Sequence, residues 1–107
     1  MHIIIRQYQV MVDHMDDVVQ AIRDGFVPRL QAIPGFAAYD LLVMGDQLAT
    51  VSTFETAEGA AASTQLATAF IQERPDLAAF IPTRTVTEGE VRLHLAADRL
   101  AGAAYSR

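Results

Sequence analysis

From Ile33 to Glu55 the apolar positions give up helical spacing and read as two extended runs around a glycine turn. Pro34 and Gly35 end the helix before this stretch: proline disfavours helical backbone at the residue preceding it, and glycine takes the left-handed conformation of a helix exit. A strand therefore starts near Phe36. Gly45-Asp46 between Met44 and Gln47 fits a two-residue turn of type II′, whose first position requires positive φ. This turn predicts a register. Val43 faces Leu48, Leu41 faces Thr50 and Tyr39 faces Ser52 on one side, while Leu42/Ala49, Asp40/Val51 and Ala38/Thr53 share the other with Phe36. Neither side is polar.

The flanking segments supply the other elements. Ile3, Ile4, Ile5, Tyr8, Val10 and Val12, with few charges between them, predict a first strand within His2 to Val12. Asp13, Asp16 and Asp17 then open a helix, where carboxylates favour the positive end of the macrodipole. Met15, Val18, Val19, Ile22, Phe26 and Leu30 give this helix one apolar stripe. Pro28 removes an amide donor and crowds the Asp24 carbonyl, so with Gly25 nearby a kink is expected. After the hairpin, Thr56 is an N-cap and Glu58 lies in the first turn of a helix running to about Arg74. Its inner face is assigned to Ala60, Ala61, Ala62, Ala67 and Ala69 around Leu66, Phe70 and Ile71. Pro75 and Asp76 start a short helical turn that Pro82 ends. Thr83 to Leu95 is the last strand region, with a bend or bulge at Glu88-Gly89 and with Val91, Leu93 and Leu95 alternating with Glu90, Arg92 and His94.

The order β-α-β-β-α-β predicts an α+β, ferredoxin-like fold: a four-stranded antiparallel sheet with both helices on one face. The organisation expected is one domain over 1–95 and an alanine-rich tail over 96–107. Two helices cannot cover both faces of a sheet whose central hairpin is apolar on both sides. The uncovered face is therefore expected to meet a second copy of the chain.

Composition narrows the function. With 107 residues, 51% of them hydrophobic, the chain suffices for one core. No cysteine is present, which excludes disulfides, thiolate metal sites and cysteine nucleophiles. Eight basic against 13 acidic side chains, a net charge of -5 and no basic cluster argue against a nucleic-acid partner. The N-terminus reads as neither a secretory signal nor a membrane span, so a cytoplasmic location without membrane association is expected.

Certain motifs resemble the antibiotic-biosynthesis-monooxygenase-type family of dimeric α+β barrels, in particular its small stand-alone members. They are Phe26-Val27-Pro28 leading to Ile33-Pro34-Gly35-Phe36, Tyr39 in the next strand, and Gly45-Asp46 at the turn. Ser52-Thr53-Phe54-Glu55-Thr56 and Glu88-Gly89-Glu90-Val91 complete the set. The resemblance implies a dimeric α+β barrel closed sheet to sheet. The family includes quinone-forming monooxygenases that use no cofactor, haem-degrading enzymes, and members with no assigned activity. The haem-degrading members resemble one another in an Asn, Trp and His constellation. This sequence has neither asparagine nor tryptophan, so that carry-over fails, and the Trp and Asn of some quinone-forming members are missing too. The resemblance thus implies no cofactor.

The residues that could carry chemistry are few. Tyr39 beside Ser52 could hold a phenolic or carbonyl ligand, although packing its ring against a neighbouring hydroxyl is the commoner role. Asp40, if buried, could be a proton acceptor; otherwise it is an edge or interface carboxylate paired with Arg6 or Arg92. His94 could act as a general base or a haem ligand, yet its alternation with Val91, Leu93 and Leu95, on a face shared with Glu90 and Arg92, places it at a solvent or dimer-rim position. A ligand pocket is expected from Tyr8, Phe26, Tyr39, Ser52, Phe54 and Phe70. No metal-ligand spacing occurs at His2, His14 or elsewhere, and no metal site is expected. Two functions follow: an enzyme of the family type oxidising a small aromatic or polyketide-like molecule, or a non-catalytic dimeric small-molecule binding or structural module.

Overall fold

In the computed structural model, which describes residues 1–95, a four-stranded antiparallel sheet has the order β2-β3-β1-β4. Its strands are β1 (His2–Gln9), β2 (Phe36–Met44), β3 (Gln47–Phe54) and β4 (Thr83–Glu90). The first helical arm comprises a 3-10 turn (Val12–His14), α1 (Met15–Ala21), a π-helical turn (Ile22–Phe26) and α2 (Val27–Gln31). The second comprises α3 (Ala57–Glu73) and the short α4 (Pro75–Ala79). The fold is ferredoxin-like.

The hairpin has the predicted register from Ala38/Thr53 to Met44/Gln47. Gly45 has φ 65°, and glycines alone have positive φ among the described residues, as a turn with glycine first requires. The two strands part from the expectation at one place. A bulge between Phe36 and Ala38 brings Phe36 opposite Phe54, and the extra residue turns Phe36 to the helix side, where its ring meets Phe54 edge-on at 6.0 Å. Gly35, at φ 85°, makes the reversal before it, and its carbonyl accepts from the Glu55 amide at 2.8 Å.

The core lies between the helices and one sheet face. Ile4 and Tyr8 of β1 and Leu48 and Phe54 of β3 pack there against Met15, Val18, Ile22, Phe26 and Leu30 of the first arm. The kink expected near Pro28 takes a specific form. Proline has no amide to offer the Asp24 carbonyl, and the helix widens so that the Val27 amide donates to the Ile22 carbonyl, five residues back. In α3 the Thr56 hydroxyl accepts from the Gly59 amide at 3.1 Å, as a cap should. The buried stripe of α3 is Gly59, Ala60, Ser63, Ala67 and Phe70, whereas Ala61 and Ala69 are exposed and Leu66 and Ile71 only partly buried.

The last strand is shorter than its alternation suggested. β4 ends at Glu90 and pairs with β1 without a register shift through Glu88 and Gly89, so no bulge forms there. Leu93 and Leu95 beyond it are 80% and 85% exposed: the Val91 amide still donates to the Met1 carbonyl at 2.9 Å, but among the described residues no strand pairs the backbone of 92–95, so the alternation buries neither leucine. The alanine-rich tail lies outside the described residues. On the sheet face away from the helices, Ile5, Leu42 and Met44 are exposed and Ile3 and Val51 half-buried.

Candidate functional site

Strand alternation sends Ile4, Arg6 and Tyr8 of β1 to the helix side. Arg6 lies in one cross-strand row with Thr50 and Leu41, and Ile4 in the next with Ser52 and Tyr39. Facing them are Ile22 and Phe26 from the π-helical turn and Ala67, Phe70 and Ile71 from α3. These residues, with Ile81 before β4, line a cavity of about 20 Å³ together with Arg6, Tyr8, Tyr39 and Thr50. Room of that size holds about one water. The aromatic wall is continuous: Phe26 lies 6.3 Å from Tyr39 and 5.6 Å from Phe70, ring centre to ring centre. A larger groove of about 160 Å³, lined by Tyr8, Ile71, Ala78, Ile81, Pro82 and Arg84, adjoins it. Tyr8, Ile71 and Ile81 belong to both and form the partition between them.

Arg6 dominates the electrostatics. It is 3% exposed. Its Nη2 donates to Thr64 Oγ1 at 3.2 Å and Ser63 Oγ at 3.4 Å, and both hydroxyls point their own protons at the Ala60 carbonyl, at 3.4 and 2.7 Å. Nη1 has no hydrogen-bond partner among the described residues. Burial lowers the Arg6 pKa, partly offset by the Tyr8 and Tyr39 phenols, with Arg84 lowering it further and Glu88 raising it. Burial pushes the Tyr39 phenol well above the ordinary tyrosine value, with the Thr50 hydroxyl pulling the other way. Tyr8 is also raised by burial, against the pull of Arg6 and Arg84. At neutral pH the cavity therefore holds one cation and two protonated phenols.

Of the pocket residues expected from sequence, Tyr8, Phe26, Tyr39 and Phe70 line this cavity. Ser52 and Phe54 do not: both are fully buried beneath the helices, and Ser52 Oγ has no hydrogen-bond partner among the described residues, so the Tyr39–Ser52 hydroxyl pair does not form. Asp40 is exposed on the opposite sheet face, a direct result of its register with Val51. It cannot reach the cavity, and Arg6, on the other side of the sheet, is not its partner. Arg92 is near Glu90 instead, at 4.0 Å. His94 is exposed beyond β4 and does not line the cavity. Arg6 and Thr50 are cavity residues that the sequence reading missed. The signal for Arg6 was present: a charge at the position between Ile4 and Tyr8 on the apolar face of a strand.

No family model matches the sequence, and no curated protein matches it. Solved structures do resemble it. A monooxygenase from the ActVA-Orf6 gene of Streptomyces coelicolor, in complex with nanaomycin D, superposes with a TM-score of 0.71 at 11% identity, over 91% of this chain and 92% of that one. SnoaB, a cofactor-independent oxygenase from Streptomyces nogalater, gives 0.66 at 13%, over 90% and 97%. The fold is that of the antibiotic biosynthesis monooxygenases. A dimeric ferredoxin-like protein from an uncultured marine organism shares it too, with a TM-score of 0.73 at 11% identity, over 91% and 92%. In this monooxygenase-type fold, a chain without asparagine or tryptophan equips its cavity with Arg6, Tyr8, Tyr39 and Thr50 as polar groups. Among the described residues no helix is long and apolar enough to cross a membrane, and no cluster of three His, Asp or Glu side chains could hold a metal.

Proposed function

We propose that this protein is a cofactor-free oxygenase that acts on a small aromatic or polyketide-like molecule held between sheet and helices. One observation carries the reading: a cavity with aromatic walls whose polar groups, Arg6, Tyr8, Tyr39 and Thr50, converge from two adjacent strands and their neighbour. The structural likeness to SnoaB and to the nanaomycin-bound monooxygenase supports it. An electron-rich phenol held here as its anion would reduce oxygen directly: one atom of O2 stays as the new carbonyl of a quinone, and the other leaves as water with the two hydrogens that the molecule gives up. The protein's part is to exclude water and supply hydrogen bonds to the developing charge. Oxygen uptake with a panel of hydroxylated anthrones and quinols tests the proposal; turnover of at least one is expected, and none would overturn it.

A second reading, a dimeric small-molecule binding module without catalysis, is favoured by one finding: neither Asp40 nor His94, the candidate bases, lines the cavity. Binding of a phenol with no oxygen uptake would establish it over the first.

In both readings the chain acts as a homodimer joined through the face that bears Ile5, Leu42 and Met44, which are 38%, 44% and 49% exposed. Apolar side chains on a sheet face need cover, the helices lie on the other side, and a similarly folded protein is described as dimeric. Sedimentation is expected to give a dimer; a folded monomer at micromolar concentration would overturn this.

A further inference from the structure

We propose that the cavity is a receptor for an oxyanion, in which Arg6 Nη1 receives the carboxylate or enolate of an aromatic molecule already ionised at neutral pH. The inference rests on the reading of the cavity as a small-molecule site and specifies the class of molecule.

Arg6 carries the argument first. An arginine withdrawn from water ordinarily has a carboxylate against it, because the guanidinium keeps its charge and desolvation must be offset. Arg6 is 3% exposed, and no Asp or Glu among the described residues lies within ion-pair distance of it. Glu88, two positions along β4 from its partner Val86, acts on it only weakly and is exposed. Nη2 is tied to α3 through Ser63 and Thr64, which fixes the plane of the guanidinium and leaves Nη1 without a partner. The cation is thus positioned but not neutralised, in the wall of a cavity. A planar oxyanion satisfies both the charge and the free N–H groups, whereas a neutral ligand satisfies only the second.

The surroundings select the same class. The phenols of Tyr8 and Tyr39 and the Thr50 hydroxyl beside Arg6 can each donate to an anion. Arg84 pairs with Tyr8 across β1 and β4 and lines the outer groove, so a second cation stands on the solvent side of the partition. An anion passing from groove to cavity is attracted at both ends of Tyr8, and a cation is repelled at both. Because a ligand that arrives ionised needs no base, the exposure of Asp40 and His94 also finds its place. The ring of such a ligand needs more than the space of one water, so Ile71 and Ile81 in the partition must yield to admit it.

Calorimetric titration of the full chain with benzoate and with benzamide, its neutral isostere, tests the proposal. Benzoate is expected to bind roughly ten-fold or more tightly, since only it offsets the buried charge. Arg6→Met should erase that preference and Arg6→Lys should retain part of it. Equal affinity for the two probes in the native protein, or a preference that survives in Arg6→Met, overturns the oxyanion receptor while leaving the small-molecule site standing. Binding of neither overturns both. A preference for benzoate with no oxygen uptake across the phenol panel leaves the receptor and removes the oxygenase. Should Arg6→Met not fold, the Arg6 Nε–H resonance of the native protein decides: a shift with benzoate and none with benzamide supports the proposal, and no shift with either overturns it.

Discussion

Gly25 stands where the Phe70 ring crosses the first helical arm: a Cβ there would lie 2.8 Å from Phe70 Cε1 and 3.2 Å from Cζ. The glycine sits inside the π-helical turn, and the ring it admits is walled by Phe26 and by the Arg29 guanidinium, 5.9 Å from its centre. Alanine is the better helix former by about 1 kcal/mol, yet overpacking a filled core costs about 1–3 kcal/mol. Gly25→Ala is therefore expected to lower stability despite its higher propensity. Urea denaturation checks this, and an unchanged or raised midpoint would show that Phe70 has room to retreat.

Gly35 tests the helix-to-strand reversal. At φ 85° it occupies backbone that a β-branched residue adopts only with strain, so Gly35→Val is expected to cost about 1–3 kcal/mol. A loss below about 0.5 kcal/mol, the range of ordinary surface changes, would mean that the reversal tolerates another conformation.

These two glycines mark the boundary of what was legible in the sequence. The turn chemistry of Gly45 set the hairpin register, and the spacing of Met15, Val18, Ile22, Phe26 and Leu30 identified the buried stripe, because both are local signals. The turn of Phe36 into the core was not legible, since nothing in Phe36-Ala37-Ala38 announces a bulge. The alternation at Val91, Leu93 and Leu95 imitated a strand, but an alternating segment becomes one only where an edge is available to pair with it. The cavity was half legible. Its aromatic residues could be named from the sequence, while Arg6 needed the packing of α3 on β1 to show which hydroxyls it met and that no carboxylate did.

Arg6 also yields a stability prediction. Arg6→Met exchanges an unneutralised buried cation for an apolar chain of similar reach, and Ser63 and Thr64 keep their own hydrogen bonds to the Ala60 carbonyl. Thermal unfolding without ligand should show stability equal to the native protein or higher by up to about 2 kcal/mol, because replacing buried charge with apolar packing is often neutral or stabilising. A clear loss would mean that the guanidinium supports the fold.

Alkaline pH should act through the tyrosines. Tyr39 and Tyr8 have folded-state pKa values raised above the ordinary tyrosine value of about 10. Below that value both are protonated in folded and unfolded chains alike, and their contribution is constant. Above it the unfolded chain loses protons that the folded chain retains, so stability falls as pH rises. Unfolding followed between neutral pH and pH 11 should show this decline, and Tyr39→Phe should make it shallower. An identical slope in the variant would place the ionisation elsewhere.

The π-helical turn at Ile22–Phe26 has a consequence for phase. On an uninterrupted helix of 3.6 residues per turn, each four-residue step in the stripe Val18, Ile22, Phe26, Leu30 drifts by about 40°, and Leu30 would leave the core side. The wider turn advances more slowly and takes back part of that drift, which keeps Phe26 against the cavity and Leu30 fully buried. Counted along the chain, the arm carries the equivalent of one inserted residue. Deleting a residue between Arg23 and Gly25 would restore α-helical counting and leave Phe26 and Leu30 on nearly the same side of the arm. Length, and not only composition, is therefore a determinant of this arm: within Ile22–Phe26 the chain can lose a residue and keep its core face, whereas in the α-helical stretches on either side a deletion rotates everything after it by about 100°.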